Sequence, residues 1–155
     1  MRVLIASSRD WPQPARVHDA LQECANALQP GQRLTVVHGH SRKGADASAD
    51  TWAWWAHRFH LPVDKPERWP AAWSAPCRST CPARPHRRDD PRGHTVCPMA
   101  GYYRNEEMVA AGADLCMAFM VPGDRAPEQL VRVARAAGID VIEFTPLAEP
   151  DGASR

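Results

Sequence analysis

The spacing Cys77-x3-Cys81-x4-His86-x10-Cys97 gathers three thiols and an imidazole in one short stretch of the chain. Thiolates and imidazoles are the ligands of structural zinc sites, which take four of them in a tetrahedral shell. Cys77, Cys81, His86 and Cys97 are therefore the expected metal ligands, with His94 as the alternative histidine. Protein groups would fill all four positions, whereas a catalytic zinc keeps one open, so the expected role of the metal is structural. The spacing departs from the common C-x2-C pairs, which leaves two other readings open: a redox-labile thiol cluster and an unstructured basic insert. Arg78, Arg84, Arg87, Arg88 and Arg92 decorate the same stretch, and Asp89 and Asp90 partly offset them. With a net charge of only +1 over the whole chain, nucleic acid is not the expected partner.

A second set of residues falls in the loops that follow apolar runs. Ser7, Ser8 and Arg9 follow the first run, and Gly39, Lys43, Gly44 and Asp46 follow the second. Arg104 and Asn105 open a helical pattern, and Pro122 and Gly123 precede another. Small residues let backbone N–H groups approach an anion, and helix N-termini add partial positive charge. Arg9, Lys43, Arg104 and Arg125 would bring formal charge to the same edge. Such a mouth suits a phosphorylated or nucleotide-like ligand.

These loops depend on the elements between them. The run RVLIAS reads as a buried strand, and residues 15–28 carry Val17, Ala20, Leu21, Cys24 and Leu28 at helical spacing before Pro30-Gly31. RLTVVHG is a second strand. Over residues 45–60, Ala45, Ala49, Trp52, Trp55, Ala56 and Phe59 trace one face of a helix, with Trp54 pointing away from it. LPVDKP reads as a short third strand. Eight of the fifteen prolines lie from Pro62 to Pro98, so residues 67–98 read as an irregular insert anchored by Trp69 and Trp73. Helical spacing returns over 102–111, ADLCMAFM is a fourth strand, Pro127 starts a helix that ends at Gly138, and IDVIEF is a fifth strand. Strands alternating with helices, each a continuous apolar run, predict an α/β fold with about five parallel strands covered on both faces. In such a sheet the ligand site lies beyond the carboxyl ends of the strands. One domain over 1–146, with a flexible tail over 147–155, accounts for the length.

The apolar fraction of 44% and charged fraction of 24% exclude a disordered chain. No apolar run approaches the ~18 residues of a membrane span, and the N-terminus lacks a secretory h-region. A cytoplasmic location with reduced thiols is the resulting expectation. Cys24 and Cys116 read as small buried hydrophobes, Trp11 as a residue of the pocket lip or core, and His38 and His40 as satisfied hydrogen-bonding residues. A homodimer is compatible with the composition.

The order "ASSRDW … VVHGHSRKGADASADTWA … GYYRNEEMVAAGADLCMAF … RVARAAGIDVIEF" resembles the YspA-like branch of the SLOG superfamily over nearly the whole chain. The resemblance implies a Rossmann-like three-layer sandwich that binds nucleotide-derived ligands. Some similar sequences carry a C-x3-C, His-Arg and Cys-Pro insert, which implies His86 rather than His94 as ligand. In the related LOG phosphoribohydrolases an ERKxxM helix start and a PGGxGTxxE loop serve N-glycosidic cleavage. Arg104 and Met108 match the first motif, and Pro122, Gly123 and Glu128 loosely match the second. By that resemblance Arg104 and Glu128 are the catalytic candidates, Arg104 neutralising a phosphate and Glu128 stabilising oxocarbenium character. Ala126-Pro127 stands where that family has Gly-Thr, which removes a backbone donor and a hydroxyl. Ligand binding is therefore expected ahead of hydrolysis.

Overall fold

Alternate residues of an extended strand face opposite sides, and in the first strand both sides are apolar. Val3 and Ile5 enter one buried cluster, Leu4 and Ala6 another. A strand of this composition needs cover on both faces, and the chain supplies it with two helices on each. The computed structural model describes residues 1–82 and 86–148; Arg84 and the tail beyond 148 lie outside the described residues. In chain order the elements are β1 (Arg2–Ser7), α1 (Pro14–Asn26), β2 (Thr35–His38), α2 (Gly44–Arg58), β3 (Glu67–Arg68), β4 (Arg88–Asp89), β5 (Thr95–Val96), α3 (Ala100–Ala110), β6 (Leu115–Phe119), α4 (Arg125–Ala136) and β7 (Asp140–Phe144).

Five strands form one parallel sheet in the order β3-β2-β1-β6-β7. The chain moves outward from β1 through β2 to β3, then returns to the other side of β1 for β6 and β7. The strand order thus reverses between β1 and β6, where a parallel α/β sheet opens a crevice at its carboxyl edge. Helices α1 and α2 pack Val17, Leu21, Ala45, Ala49 and Ala53 on one face, with Met117 and Phe119 of β6. Helices α3 and α4 pack Met108, Val109, Leu130, Val131 and Ala134 on the other. Cys24 and Cys116 are buried as expected, and burial pushes the Cys116 thiol up to about 12, which keeps it a packing group. Trp11 is buried edge-on against Phe119, with centroids 5.3 Å apart. Among the described residues no helix is long and apolar enough to cross a membrane.

Two elements differ from the sequence expectation. The third strand lies at Glu67–Arg68 rather than in LPVDKP, where Val63 makes only an isolated bridge to Leu34. Pro62 and Pro66 have no N–H to offer a ladder, so regular pairing with β2 begins after them. Glu67 also accepts both terminal nitrogens of Arg2, which ties β3 across β2 to β1. On α2, Trp55 and Phe59 do not face the core; they are 57% and 65% exposed and stack on one another 5.1 Å apart. The alanines at 45, 49, 53 and 56 form the buried stripe instead. Small side chains let α2 lie close to the sheet and α1, and the large rings occupy the neighbouring stripe. Trp52 is partly buried against that core, and Trp54 is exposed as expected.

Residues 69–98 leave the sheet after β3 and re-enter the fold at α3. Among the described residues of this insert, the regular structure is the two-residue antiparallel pairing of β4 with β5.

Candidate functional site

The carboxyl ends of β1 and β2 and the flanks of α2, α3 and α4 enclose a pocket of about 290 Å³, part of it open to solvent. It lies at the strand-order reversal and is walled by Ser7, Gly39, Asp46, Arg104, Asn105 and Pro127 over a floor of Ile5, Met108 and Leu130. Arg104 is its central charge. One terminal nitrogen donates to the carbonyls of Gly39 and Trp69, the latter at 2.9 Å, and Nε donates to Asn105 Oδ1 at 2.8 Å. Asn105 is buried and in turn donates to Gln129 Oε1 at 2.8 Å. Among the described residues Nη2 makes no hydrogen bond, and Arg104 belongs to no ion pair. Burial pulls its pKa below the ordinary value, opposed by the nearby Asp46, yet arginine stays protonated at physiological pH. Gly39 makes this possible, because a Cβ there would lie 2.1 Å from Arg104 Nη1.

Asp46 is 4% exposed. Its carboxylate accepts the Ser41 N–H at 3.0 Å, and its own N–H donates to Ser7 Oγ at 2.9 Å. Desolvation pushes its pKa up to about 6, against the pull of the Ser41 bond and the Arg104 charge. Beneath the same loop, His38 is fully buried with Nε2 3.0 Å from Asp50 Oδ1, and Asp50 holds Arg68 through both oxygens. The His40 N–H points at His38 Nδ1 at 3.1 Å, so Nδ1 is the acceptor and the proton sits on Nε2. Burial holds the His38 pKa below normal despite Asp50. This chain of contacts supports His40 in a left-handed conformation, φ 57°, and so fixes Gly39 against Arg104.

In the insert, the ligand atoms of Cys77, Cys81, His86 and Cys97 all lie within 4.8 Å of one another and could hold a metal ion. His86 Nε2 is 3.2 Å from Cys77 Sγ and 3.4 Å from Cys97 Sγ, and Cys81 and Cys97 sulfurs are 3.7 Å apart. A tetrahedron with metal–sulfur bonds of ~2.3 Å and a metal–nitrogen bond of ~2.0 Å has edges of about 3.5–3.8 Å, close to what is observed. All three cysteines are free thiols. His94, the alternative ligand, is exposed on the β4–β5 hairpin with Nδ1 3.5 Å from Asp90. Around the cluster, the Tyr103 hydroxyl donates to Cys81 Sγ at 3.1 Å and an Arg87 terminal nitrogen lies 3.7 Å from Cys77 Sγ. Hydrogen bonds of this kind orient sulfur ligands and offset their charge. Two of the arginines near it are spent on the protein: Arg78 pairs with Glu107 and stacks on Tyr103, and Arg87 donates to the carbonyls of Ala75 and Thr95.

Residues 1–74 match the model of the YspA, cpYpsA-related SLOG family. The gene 61 protein of Mycobacterium phage D29 is 37% identical over 143 residues, covering 92% of this chain and 95% of that protein. The chain belongs to the YspA-like SLOG family. The family match takes in β1 to β3 and ends just short of Cys77, so the pocket's first two strand ends lie inside it and the cysteine–histidine cluster outside it.

Within this SLOG chain the structure sorts the residues singled out from sequence. Ser7, Gly39, Asp46, Arg104 and Asn105 meet in one pocket. Ser8 is instead a packing residue: it is fully buried, donates its N–H to Phe119 O and accepts the Val121 N–H on Oγ, both at 2.9 Å. Gly44, at φ +70°, lies so close to the Ser8 carbonyl that a Cβ would approach it to 2.1 Å. Arg9, Lys43, Pro122 and Gly123 are exposed and do not line the pocket. Glu128, paired with Arg104 as a catalytic candidate, is also exposed and outside the lining, and its neighbour Gln129 contacts Asn105 instead. At the start of α4, Asp124 caps the helix by accepting the Ala126 N–H at 3.2 Å, and Pro127 contributes no donor. Gln129, the Trp69 carbonyl and Tyr103 were not legible as site residues, because a backbone acceptor and a remote amide leave no spacing signature.

The buried carboxyl has a pH signature. Asp46 ionises at about 6 in the fold but near 3.9 in an unfolded chain, so the folded state holds its proton over the interval between. Its contribution to stability therefore declines as pH rises from about 4 to about 6 and is constant above, by up to about 3 kcal/mol. Asp46→Asn should match the wild type at pH 4 and exceed it in stability at pH 7, as read by urea unfolding. Parallel stability curves for the two proteins would contradict this.

Proposed function

We propose that this SLOG chain binds a phosphorylated, nucleotide-derived small molecule in the pocket around Arg104, and that Cys77, Cys81, His86 and Cys97 hold a structural zinc ion. The observation that carries the reading is Arg104 itself: a largely buried cation at the strand-order reversal, with the Asp46 carboxylate near it but no carboxylate within ion-pair distance among the described residues. Buried charges are ordinarily paired, and the remaining Nη2, with Nε and Nη1 already engaged, can donate a charge-assisted hydrogen bond to a phosphate oxygen. Asp46 and Asn105 line the same pocket and suit hydroxyl groups next to the anion.

Three thiolates and one imidazole are a set that selects zinc among abundant divalent ions. With no open position the ion would act as a staple. An insert of about thirty residues is too short to bury a core of its own, and a metal is a usual remedy. Hydrolysis is the weaker reading. Glu128 is exposed and outside the pocket lining, the Ala126 N–H is taken by Asp124 and Pro127 has no N–H, which removes that glutamate and the donors of these two positions from the wall that N-glycosidic cleavage would use.

Calorimetric titration of the zinc-loaded protein with the four ribonucleoside 5′-monophosphates, ribose 5-phosphate and the four nucleosides tests the binding claim. Phosphorylated compounds should bind, the unphosphorylated nucleosides should bind at least about tenfold more weakly, and no free base should appear on incubation. Equal affinity for nucleosides, or no binding by any phosphorylated compound, would refute it.

A further inference from the structure

A second hollow, of about 470 Å³, borders the same arginine. Residues 100, 103, 104 and 107 form one stripe of α3, and 104, 105 and 108 form the next. The first stripe lines the second hollow and the other lines the pocket already described, so Arg104 is the boundary between them. The far wall comes from the insert: Pro70, Ala75 and Pro76 are part of it, and Cys97 adjoins it from the metal cluster. Its remaining charges, Arg78 and Glu107, neutralise one another. The Tyr103 ring is held by Arg78 over its face, at 4.4 Å, and by its hydroxyl bond to Cys81.

Size divides the labour between the two spaces. The Arg104 pocket is the smaller of the two, at about 290 Å³ against about 470 Å³ with open solvent included in both. It has room for an anionic group beside Arg104. The adjoining hollow is larger; Pro70, Ala72, Ala75, Pro76 and Ala100 give it short apolar walls beside the Arg78 guanidinium that covers the buried Tyr103 ring, and apolar walls next to a guanidinium plane suit a flat, weakly polar group.

We infer that the ligand is bipartite: its anionic part sits at Arg104 and its planar base sits in the hollow between the metal lobe and α3. This rests on the phosphate-binding reading above and assigns the metal lobe a part in specificity beyond stapling the insert. Cys97 starts the turn into α3 and Tyr103 touches the cluster, so the metal holds both walls of the base compartment at a fixed separation.

Ala75 is exposed and lines the hollow, so Ala75→Trp fills it without touching a metal ligand. Ribose 5-phosphate and the four ribonucleoside 5′-monophosphates are titrated into wild type and variant by calorimetry. In the wild type at least one monophosphate should bind about tenfold or more tighter than ribose 5-phosphate, the scale of stacking one base on a flat side chain. Ala75→Trp should erase that advantage and leave ribose 5-phosphate within about twofold. Should that variant lose zinc or fold poorly, Ala72→Leu on the same wall is read in its place. Monophosphates binding no tighter than ribose 5-phosphate, or a base advantage that survives filling of the hollow, overturn this inference and leave the Arg104 reading standing. If no phosphorylated compound binds, both fall together.

Discussion

Cys97→Ser should purify with well under one equivalent of metal and unfold its insert while the five-stranded sheet survives. The sheet has two buried clusters of its own, whereas the insert has the short β4–β5 pairing and the cysteine–histidine cluster. Structural zinc in small modules supplies about 10–16 kcal/mol of apparent binding energy at neutral pH, far more than a four-residue pairing can replace. Hydrogen exchange over residues 70–98 should rise by orders of magnitude in the variant, and in the wild type treated with a strong chelator. Protection in β1, β2 and β6 should change little. The N-terminal turn of α3 should lose protection with the insert, because Cys97 O accepts the Ala100 N–H and Tyr103 bonds to Cys81. Full zinc occupancy in Cys97→Ser with unchanged insert protection would be incompatible with the four-ligand site. His94→Ala serves as the matched control and should retain its metal, since His94 stands away from the cluster.

Arg104→Ala carries the second large effect. Removing a buried cation that pairs with a phosphate costs about 2–4 kcal/mol, so affinity for nucleoside monophosphates should fall by about 30-fold to 1,000-fold. The substitution also strips a donor from the carbonyls of Gly39 and Trp69, and each unsatisfied buried acceptor costs about 1–3 kcal/mol. The variant should therefore melt earlier while still binding one equivalent of zinc. Arg104→Lys separates the two roles: it restores charge but not the planar fork, and should recover part of the affinity. Ligand binding that is unaffected in Arg104→Ala would remove the residue from the site.

The parallel α/β architecture was legible because each core strand is a continuous apolar run between turn residues, and only a sheet covered on both faces accommodates that. The cysteine–histidine cluster was legible for a different reason, since thiols and an imidazole at short spacing suit one shared ion and so imply that they meet in the fold. Spacing could not choose between His86 and His94; the fold does, by placing one on the cluster and the other on a hairpin in solvent. It could not locate β3 either, because two prolines shift the start of pairing and the anchoring partner, Arg2, is remote in sequence. Trp55 and Phe59 misled because a helical stripe of aromatics looks like a core face, whereas the alanine stripe beside it gives the closer approach. In the pocket, the basic loop residues drew attention by their charge, yet Arg9 and Lys43 stay in solvent. What builds the site is Gly39, valued for the side chain it lacks, and the amide relay from Arg104 through Asn105 to Gln129. Neither leaves a pattern in one sequence.

Native mass spectrometry of the freshly purified chain, compared with Arg104→Ala, tests the central claim most directly. The account predicts one zinc ion in both proteins and, in the wild type, an added phosphorylated small molecule or an adduct with a supplied nucleoside monophosphate that the variant does not form. A metal-free wild-type chain, or the same adduct on both proteins, would contradict it.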